Sequence, residues 1–171
     1  MKFIIERADL LRALNHVHSV VERRNTIPIL ANVLLRAEKD SLSLVTTDMD
    51  LEIVESVAAK TSAAGATTVP AHTLYDIVRK LGDGAAVEIS GGDGGSSSIQ
   101  IKSGRSTFRL GCLPVEDFPK MGAAEKFSYT FSIPAGDLRT LIDRTRFAIS
   151  NEETRYYLNG IYIHAADNEG V

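Results

Sequence analysis

The chain has 171 residues, 44% of them apolar, and a formal net charge of −3 at pH 7. Such a length suits one globular domain or one and a half, and the acidic balance excludes an overall basic field that would draw the chain onto nucleic acid or anionic lipid. Cys112 is the single cysteine, which excludes an intramolecular disulfide and favours a reducing compartment. The sequence has neither a signal-peptide pattern nor an apolar run of roughly 18 residues, so we expect a cytoplasmic protein without a membrane span.

The segment 1–64 carries the pattern strand, helix, strand, strand, strand. The first strand is predicted at residues 2–6. The helix begins near Ala8, where the apolar spacing becomes helical, and Asp9 suits the positive dipole at a helix start. A polar loop at 22–26 is followed by Pro28, which excludes a continued helix. Three further strands are predicted at residues 29–37, 41–47 and 51–58.

The next segment repeats this order of elements. A strand at 67–69 leads into a helix that begins at Pro70, a residue that loses no hydrogen bond in a first helical turn. Strands are then predicted at residues 86–90, 98–102 and 106–110. The glycine- and serine-rich segment at 91–98 lacks the lysine and the following helix of a phosphate-binding loop, so we predict a long hairpin tip.

Apolar residues recur at a constant spacing along the chain, at positions 5, 69 and 133, at 10, 74 and 138, and at 14, 78 and 142. At twice that spacing, Phe3 matches Phe131, Asp9 matches Asp137, and Leu30 matches Leu158. Constant spacing of this kind indicates an architecture built from repeated units. A third unit is therefore predicted, with a strand at 127–133, a helix at 135–148 and a strand at 157–165.

A segment with two prolines near residues 113–120 indicates the exit from a domain. We accordingly predict a first domain at 1–120, a linker at 121–126 and a partial second domain at 127–171. The third repeat reaches Val171 well before a full unit is complete, so we expect the sequence to be a piece of a longer chain.

No arrangement of residues indicates an enzyme. No serine, histidine and acid form a nucleophile motif, and no cysteine and histidine spacing suits zinc. Asp48 and Asp50 are predicted to form a turn rather than a cation site. His16 and His18 are two apart on a predicted helix, so they cannot face one metal ion. We therefore expect no cofactor and no metal, and an enzymatic function is the weakest hypothesis.

Basic residues accompany each repeated helix. They are Arg23, Arg24, Arg79, Lys80, Arg144 and Arg146. One interpretation is a set of solvated helix faces, and the other is a common surface on which positive charge gathers. The spacing leaves both interpretations open.

Six segments in a fixed order resemble one known family. They are MKF at 1–3, TIPILAN at 26–32, TTVPA at 67–71, SGRS at 103–106, LPVEDFP at 113–119 and RYYLNG at 155–160. Together they resemble the bacterial sliding clamps, the beta subunits of DNA polymerase III. The resemblance extends from Met1 to at least Gly160.

The resemblance implies an α+β clamp fold, in which strand–helix–strand–strand–strand units place helices along the inside of a ring and sheets outside. It implies a closed homodimer of complete chains that encircles duplex DNA without sequence preference and has no catalytic activity of its own. Its partners would be DNA polymerase III, the clamp-loader subunits and other proteins with a clamp-binding motif. The alternative is a repeat-built module that binds protein or nucleic acid without forming a ring.

The same resemblance assigns expected roles to individual residues. Residues expected near DNA are Arg24, Arg79, His72, Tyr156, Tyr157 and Glu152. Relatives can carry arginine at the position of His72 and an uncharged polar residue at that of Glu152. Leu158 is expected in a hydrophobic pocket for partner peptides, and the subunit interface is expected to include Thr73, Phe108 and Leu110.

Overall fold

The computed structural model describes residues 1–22, 26–91, 97–120 and 131–164, and the chain forms two compact units, Met1–Ala123 and Ala124–Val171. The helices of the first unit are α1 (Arg7–Val17) and α2 (Ala71–Lys80). Its strands are β1 (Lys2–Glu6), β2 (Asn32–Glu38), β3 (Ser41–Thr47), β4 (Glu52–Ala58), β5 (Lys60–Ala63), β6 (Gly65–Pro70), β7 (Ala86–Gly91), β8 (Ser98–Ser103) and β9 (Ser106–Gly111). The predicted α+β class is confirmed.

The strands form two antiparallel sheets that exchange their first strands. One sheet has the order β5-β1-β7-β8-β9 and the other has the order β4-β3-β2-β6. The strand before each helix therefore joins the three-stranded meander of the other repeat: Phe3 of β1 faces Ile89 of β7, and Val69 of β6 faces Val33 of β2. Because of this exchange, neither repeat can complete a sheet without the other.

The repeated apolar positions form the centre of the core. Leu10 and Leu14 of α1 and Leu74 and Val78 of α2 are fully buried, together with Phe3 of β1. They pack in one hydrophobic cluster with inward-facing residues of both sheets. Complete burial of one such side chain contributes about 1.5–3 kcal/mol. The constant spacing of the apolar positions therefore identifies the side of α1 and of α2 that faces the sheets.

A smaller apolar cluster lies apart from this core. It consists of the buried side chains of Ile29, Leu30, Leu34 and Phe118. The segment that carries Phe118 is tied to β6 by Thr68, whose Oγ1 donates to the Leu113 carbonyl at 2.8 Å and accepts from the Leu113 amide at 3.1 Å. The two bonds fix the path of the chain after β9.

The helix of the second unit and the turn after it correspond to those at the start of the first. Its helix is α3 (Ala135–Thr145), and the starts of α1, α2 and α3 at positions 7, 71 and 135 are equally spaced. A 3₁₀ turn follows α1 at His18–Val20, and another follows α3 at Arg146–Ala148, the matching positions two repeats later. The repeat is therefore present in backbone conformation as well as in sequence.

The strand predicted at 157–165 is wrong. A 3₁₀ segment covers Glu153–Leu158, and residues 161–164 have no regular structure. A strand needs a neighbour that accepts its backbone hydrogen bonds, and no strand occurs among residues 131–164. A strand is also predicted at 127–133. Residues 131–133 of it form no strand, and residues 127–130 lie outside the described residues.

A related deviation occurs at the strand predicted for 29–37. Residues Pro28–Ala31 form a 3₁₀ turn, and β2 begins only at Asn32. Pro28 fixes its own φ and has no N–H to donate, which suits the start of a helical turn rather than a ladder. The short strand β5 was not predicted. It lies at the edge of its sheet and pairs only with β1.

The turn predicted at Asp48 and Asp50 is confirmed by its hydrogen bonds. The Asp48 carboxylate oxygen Oδ1 accepts from the amides of Asp50 at 3.0 Å and Leu51 at 2.7 Å. The strands β7 and β8 pair antiparallel as a hairpin, and most of its predicted tip, at 92–96, lies outside the described residues. Within the residues that the structure describes, no helix is both long enough and apolar enough to cross a membrane.

Candidate nucleic-acid interface

The two helices of the first unit present one shared polar face, which we term the helix face. α1 and α2 pack against each other, and each buries its apolar side in the core. The side chains left exposed or half-exposed on the helix face include Asp9, Arg12, Asn15, His16, Thr73, Asp76, Arg79 and Lys80. The face therefore carries charges of both signs on regular, rigid elements.

Each arginine of the helix face is paired with an aspartate three residues earlier. Arg12 Nη2 lies 3.1 Å from Asp9 Oδ1, and Arg79 Nη2 lies 3.1 Å from Asp76 Oδ1. Exposed pairs of this kind contribute about 0–1 kcal/mol, so they hold the side chains only loosely. Lys80 has no such carboxylate partner among the residues described. The face can attract a polyanion, but each paired carboxylate weakens the field around its arginine.

Arg79, predicted to lie near DNA, is on the solvent-exposed part of the helix face. Its side chain is 56% exposed. The guanidinium carbon Cζ lies 5.5 Å from the centroid of the Tyr75 ring, within the range of a cation–π interaction. The guanidinium is thus oriented by an aromatic ring and by the Asp76 carboxylate, while more than half of the side chain faces solvent.

His72, also predicted near DNA, is half-buried and directed elsewhere. Its Nε2 donates a hydrogen bond to the carbonyl oxygen of Val21 at 2.8 Å. Its Nδ1 is buried and has no hydrogen-bond partner within the described part of the chain. The ring therefore links α2 to the residue that follows the 3₁₀ turn after α1.

The His18 imidazole, in the 3₁₀ turn after α1, completes an aromatic cluster that no sequence pattern predicts. The His18 ring stacks on Tyr75 at 4.2 Å between centroids and 13° between planes. The same ring meets His72 edge to face, at 5.7 Å and 80°. His18 Nδ1 also donates to the Asn15 carbonyl at 3.1 Å. No repeat spacing relates His18 to α2, because the contact is made only when the two helices pack.

Arg7 is a second residue that sequence reasoning missed. From the start of α1 it reaches the end of α2, where Nε donates to the Val78 carbonyl at 3.2 Å and Nη2 donates to the Arg79 carbonyl at 2.9 Å. Nη1 lies 2.6 Å from Asp83 Oδ1. One available signal was its position, because a cation in the first helical turn opposes the dipole of its own helix and needs a partner elsewhere.

The predicted residues of the second unit are exposed. Tyr156 and Tyr157 are 78% and 72% exposed, and their rings meet at 5.8 Å and 84°. The Glu152 carboxylate lies 2.9 Å from Arg155 Nε, which compensates part of its negative charge. Leu158 is 45% exposed. Arg24, predicted near DNA, lies outside the described residues.

The predicted subunit-interface residues divide into two groups. Thr73 of α2 and Phe108 of β9 line an open groove of about 310 Å³ between the helix end and the edge strand. Leu110 is only 9% exposed and belongs to the core. The outer edge of β9 has no neighbouring strand in the described sheet, and such an edge is available for pairing with another chain.

The described residues contain no group of three or more histidine, cysteine, aspartate or glutamate side chains that could hold a metal ion. Cys112 is a half-buried free thiol, and its sulfur lies 3.9 Å from the Leu110 carbonyl. The charges of both signs on the helix face suit weak electrostatic contact with a polyanion.

Comparison with known proteins identifies the family. Residues 1–122 match the family model of the DNA polymerase III beta subunit N-terminal domain, and residues 132–171 match that of the central domain. The chain therefore belongs to the DNA polymerase III beta subunit family, the bacterial sliding clamps.

Curated relatives and solved structures agree with this membership. The beta sliding clamp of Caulobacter vibrioides is 55% identical over 170 residues, which is 99% of this chain and 45% of the relative. That of Escherichia coli is 38% identical over 172 residues. Caulobacter crescentus pol III beta superposes with a TM-score of 0.92, and a Bartonella birtlesii clamp bound to griselimycin does so with a TM-score of 0.90 at 50% identity. The chain spans a little under half the length of these relatives.

Proposed function

We propose that this chain supplies the first domain and the start of the second domain of a ring-shaped sliding clamp. The ring encircles duplex DNA without sequence preference and tethers the replicative DNA polymerase, so that the polymerase stays on its template. The clamp is an accessory subunit with no catalytic role, and it acts in the cytoplasm. In this arrangement residues 1–120 are the N-terminal domain, 121–126 the linker and 127–171 part of the central domain.

The observation that carries the proposal is the balance of charge on the helix face. A surface that bound DNA tightly would present many uncompensated cations, and each phosphate contact would steepen the salt dependence of binding. Here Arg12 and Arg79 are each paired with an aspartate. Weak contacts on a rigid surface permit sliding, so retention on DNA comes from closure of a ring.

The DNA-facing residues of the proposal are Arg79, Arg24, Tyr156, Tyr157 and Glu152, with His72 beside them. The exposure of Arg79 and of the two tyrosines supports these roles, since phosphate contact and base stacking both need an accessible side chain. The pairing of Glu152 with Arg155 supports its presence near a polyanion despite its charge. His72 contributes through its ring packing rather than through an exposed donor.

The protein partners of the proposal are DNA polymerase III, clamp-loader subunits and other proteins with a clamp-binding motif. Leu158 contributes to the pocket that receives their peptides, and its 45% exposure supports this role because a partner side chain could reach it. Two complete subunits form the ring as a homodimer. The groove lined by Thr73 and Phe108 and the free edge of β9 support an interface there, with Leu110 holding the strand from the core side.

A chimeric clamp tests the proposal. Residues 1–171 replace the matched segment of the Caulobacter vibrioides clamp, and the chimera is loaded by its clamp loader and ATP onto nicked circular DNA. Gel filtration follows retention before and after the circle is cut. Retention on the circle with release on linearisation is expected. Equal retention on both forms would mean that affinity, rather than encirclement, holds the protein, and the proposal would be wrong.

A further inference from the structure

Three rings and one guanidinium form a continuous cluster on the first unit, which we term the His–Tyr column. It comprises His72, His18, Tyr75 and Arg79. His72 meets His18 at 5.7 Å, His18 stacks on Tyr75 at 4.2 Å, and the Arg79 Cζ lies 5.5 Å from the Tyr75 ring. The column joins His18, in the 3₁₀ turn after α1, to the exposed end of α2.

We propose that Tyr75, held by His18, is a positioning residue that presents the Arg79 guanidinium to a phosphate of duplex DNA. The inference rests on the proposed function, because it concerns the same helix face. Beyond that function, the Tyr75 ring that orients Arg79 within α2 is held in turn by His18 of the 3₁₀ turn after α1, and these two rings do not themselves touch the nucleic acid.

An exposed arginine side chain is conformationally free. It samples many rotamers and loses that freedom when it binds a phosphate. A ring beside the guanidinium favours the orientations in which their faces are in contact. The Asp76 carboxylate, 3.1 Å from Nη2, adds a weak preference for the same orientation. The other N–H groups of Arg79 are thereby left in a restricted direction before DNA arrives.

The ring that orients Arg79 is itself held from two sides. Tyr75 is half-buried and belongs to the edge of the hydrophobic core. His18 is held parallel to it by a hydrogen bond from Nδ1 to the Asn15 carbonyl. His72 is anchored by its hydrogen bond to the Val21 carbonyl. Removal of the His18 ring, or of the His72 ring that packs against it, therefore loosens the tyrosine.

The test measures binding of the 171-residue chain to a fluorescein-labelled 20-base-pair duplex by anisotropy, between 25 and 150 mM salt. The variants are Tyr75→Leu, Tyr75→Phe, Arg79→Ala and Arg109→Ala. Arg109 is an exposed arginine of β9, and because its neighbours Phe108 and Leu110 pack with the core, it projects from the opposite face of that sheet. It serves as the matched control for loss of one positive charge. Urea unfolding of each variant reports stability separately.

A positioning role for Tyr75 and a direct phosphate contact by Arg79 predict different effects on affinity and on its salt dependence. Arg79→Ala is expected to reduce affinity and to lower the slope of log K against log salt by about 0.9, the contribution of one phosphate contact. Tyr75→Leu is expected to weaken binding about two- to fivefold with the slope unchanged, since the cation remains. Tyr75→Phe keeps the ring and is expected to bind like the original chain. In the Arg79→Ala background, Tyr75→Leu is expected to have no further effect.

The outcomes separate the inference from the proposed function. If Arg79→Ala weakens binding more than Arg109→Ala but Tyr75→Leu does not, the helix face contacts DNA and the positioning role is wrong. The positioning role is also wrong if Tyr75→Leu weakens binding equally with and without Arg79. If Arg79→Ala behaves like Arg109→Ala, or if no salt-dependent binding occurs at 25 mM, both the helix-face contact and the inference are overturned.

Discussion

Replacement of Arg7 by alanine tests whether the end of α2 is held by a side chain from α1. The side chain of Arg7 is only 15% exposed, and it donates to the carbonyls of Val78 and Arg79 in the last turn of α2. The last carbonyls of a helix have no partner within that helix. The Val78 carbonyl also accepts from the Leu81 amide, so the Arg79 carbonyl depends more strongly on Arg7.

The magnitude follows from these bonds. Hydrogen bonds from a charged donor contribute about 1.5–3 kcal/mol, and a carbonyl left unpaired costs about 1–3 kcal/mol. The ion pair with Asp83 adds less than about 1 kcal/mol, because the Asp83 side chain is 95% exposed. We therefore expect Arg7→Ala to lower the free energy of unfolding by about 2–3 kcal/mol, with most of the loss from the two carbonyls.

Urea unfolding followed by circular dichroism measures this change, since the chain has no tryptophan. With a slope of about 1–3 kcal/mol per molar urea, the midpoint should fall by about 0.7–3 M. Arg7→Lys keeps the charge but loses the fork of donors, and should recover less than half of the loss. Asp83→Ala is the matched control and should shift the midpoint only slightly. If Asp83→Ala destabilised the chain as much as Arg7→Ala, the ion pair would be the main contribution and the capping role of Arg7 would be refuted.

Three further predictions concern other contacts. Thr46→Val removes the buried hydrogen bond from Thr46 Oγ1 to the Val17 carbonyl at 2.7 Å and should cost about 1–2 kcal/mol in urea unfolding; Thr46→Ser, which keeps the hydroxyl, should cost less, and equal losses would exclude a role for the bond. Gly91→Ala should cost at least about 2 kcal/mol by the same assay, because φ is +114° and a Cβ would lie 2.8 Å from the Ser98 carbonyl oxygen; an unchanged midpoint would contradict this geometry. Trypsin should cut the second unit at Arg139 before it cuts the first unit at Arg36, because Arg139 lies on a helix with no buried side chain whereas Arg36 lies within a paired strand; mass spectrometry of early fragments checks the order.

Much of the first unit was predictable because its pattern is repeated. The apolar positions 10 and 74 and the positions 14 and 78 correctly identified the buried sides of α1 and α2. The strands at 2–6 and 41–47 have the predicted bounds. The side chains of the first strand alternate between the core and solvent, and those of the second alternate between buried and less buried positions up to Thr46; this period of two is a direct consequence of strand geometry.

The errors arose where local pattern and tertiary pairing disagree. Residues 157–165 are as apolar as a strand, but a strand forms only beside a partner, and the sequence of the segment does not contain that partner. The match between positions two repeats apart offered a correction. Leu158 corresponds to Leu30, and Leu30 belongs to the 3₁₀ turn Pro28–Ala31 rather than to β2. The strands predicted at 29–37 and 157–165 therefore both begin where the structure has a 3₁₀ turn.

The candidate site shows a similar division. Helical spacing placed Arg79 on an exposed helix face but left its role open, and only the family resemblance placed it near DNA. Its surroundings could not be predicted. Tyr75 is four residues away, and no sequence pattern indicates a function for it, while His18 and Arg7 come from another part of the chain and meet α2 only through the packing of the core. Contacts between elements depend on the crossing of helices, which a pattern along one chain does not encode.

The exchange of strands explains why the helix face can be polar and still rigid. Each helix is preceded by a strand that is paired in the other repeat's meander, so movement of one helix would disturb both sheets. Because the sheets fix the helices from behind, their outer sides need no apolar contact with a partner to stay in place. In the proposed clamp, the loosely paired charges of Arg12 and Arg79 would exchange one phosphate for the next while the backbone that carries them does not move. A surface with these two properties suits a protein that holds DNA by enclosure and lets it slide.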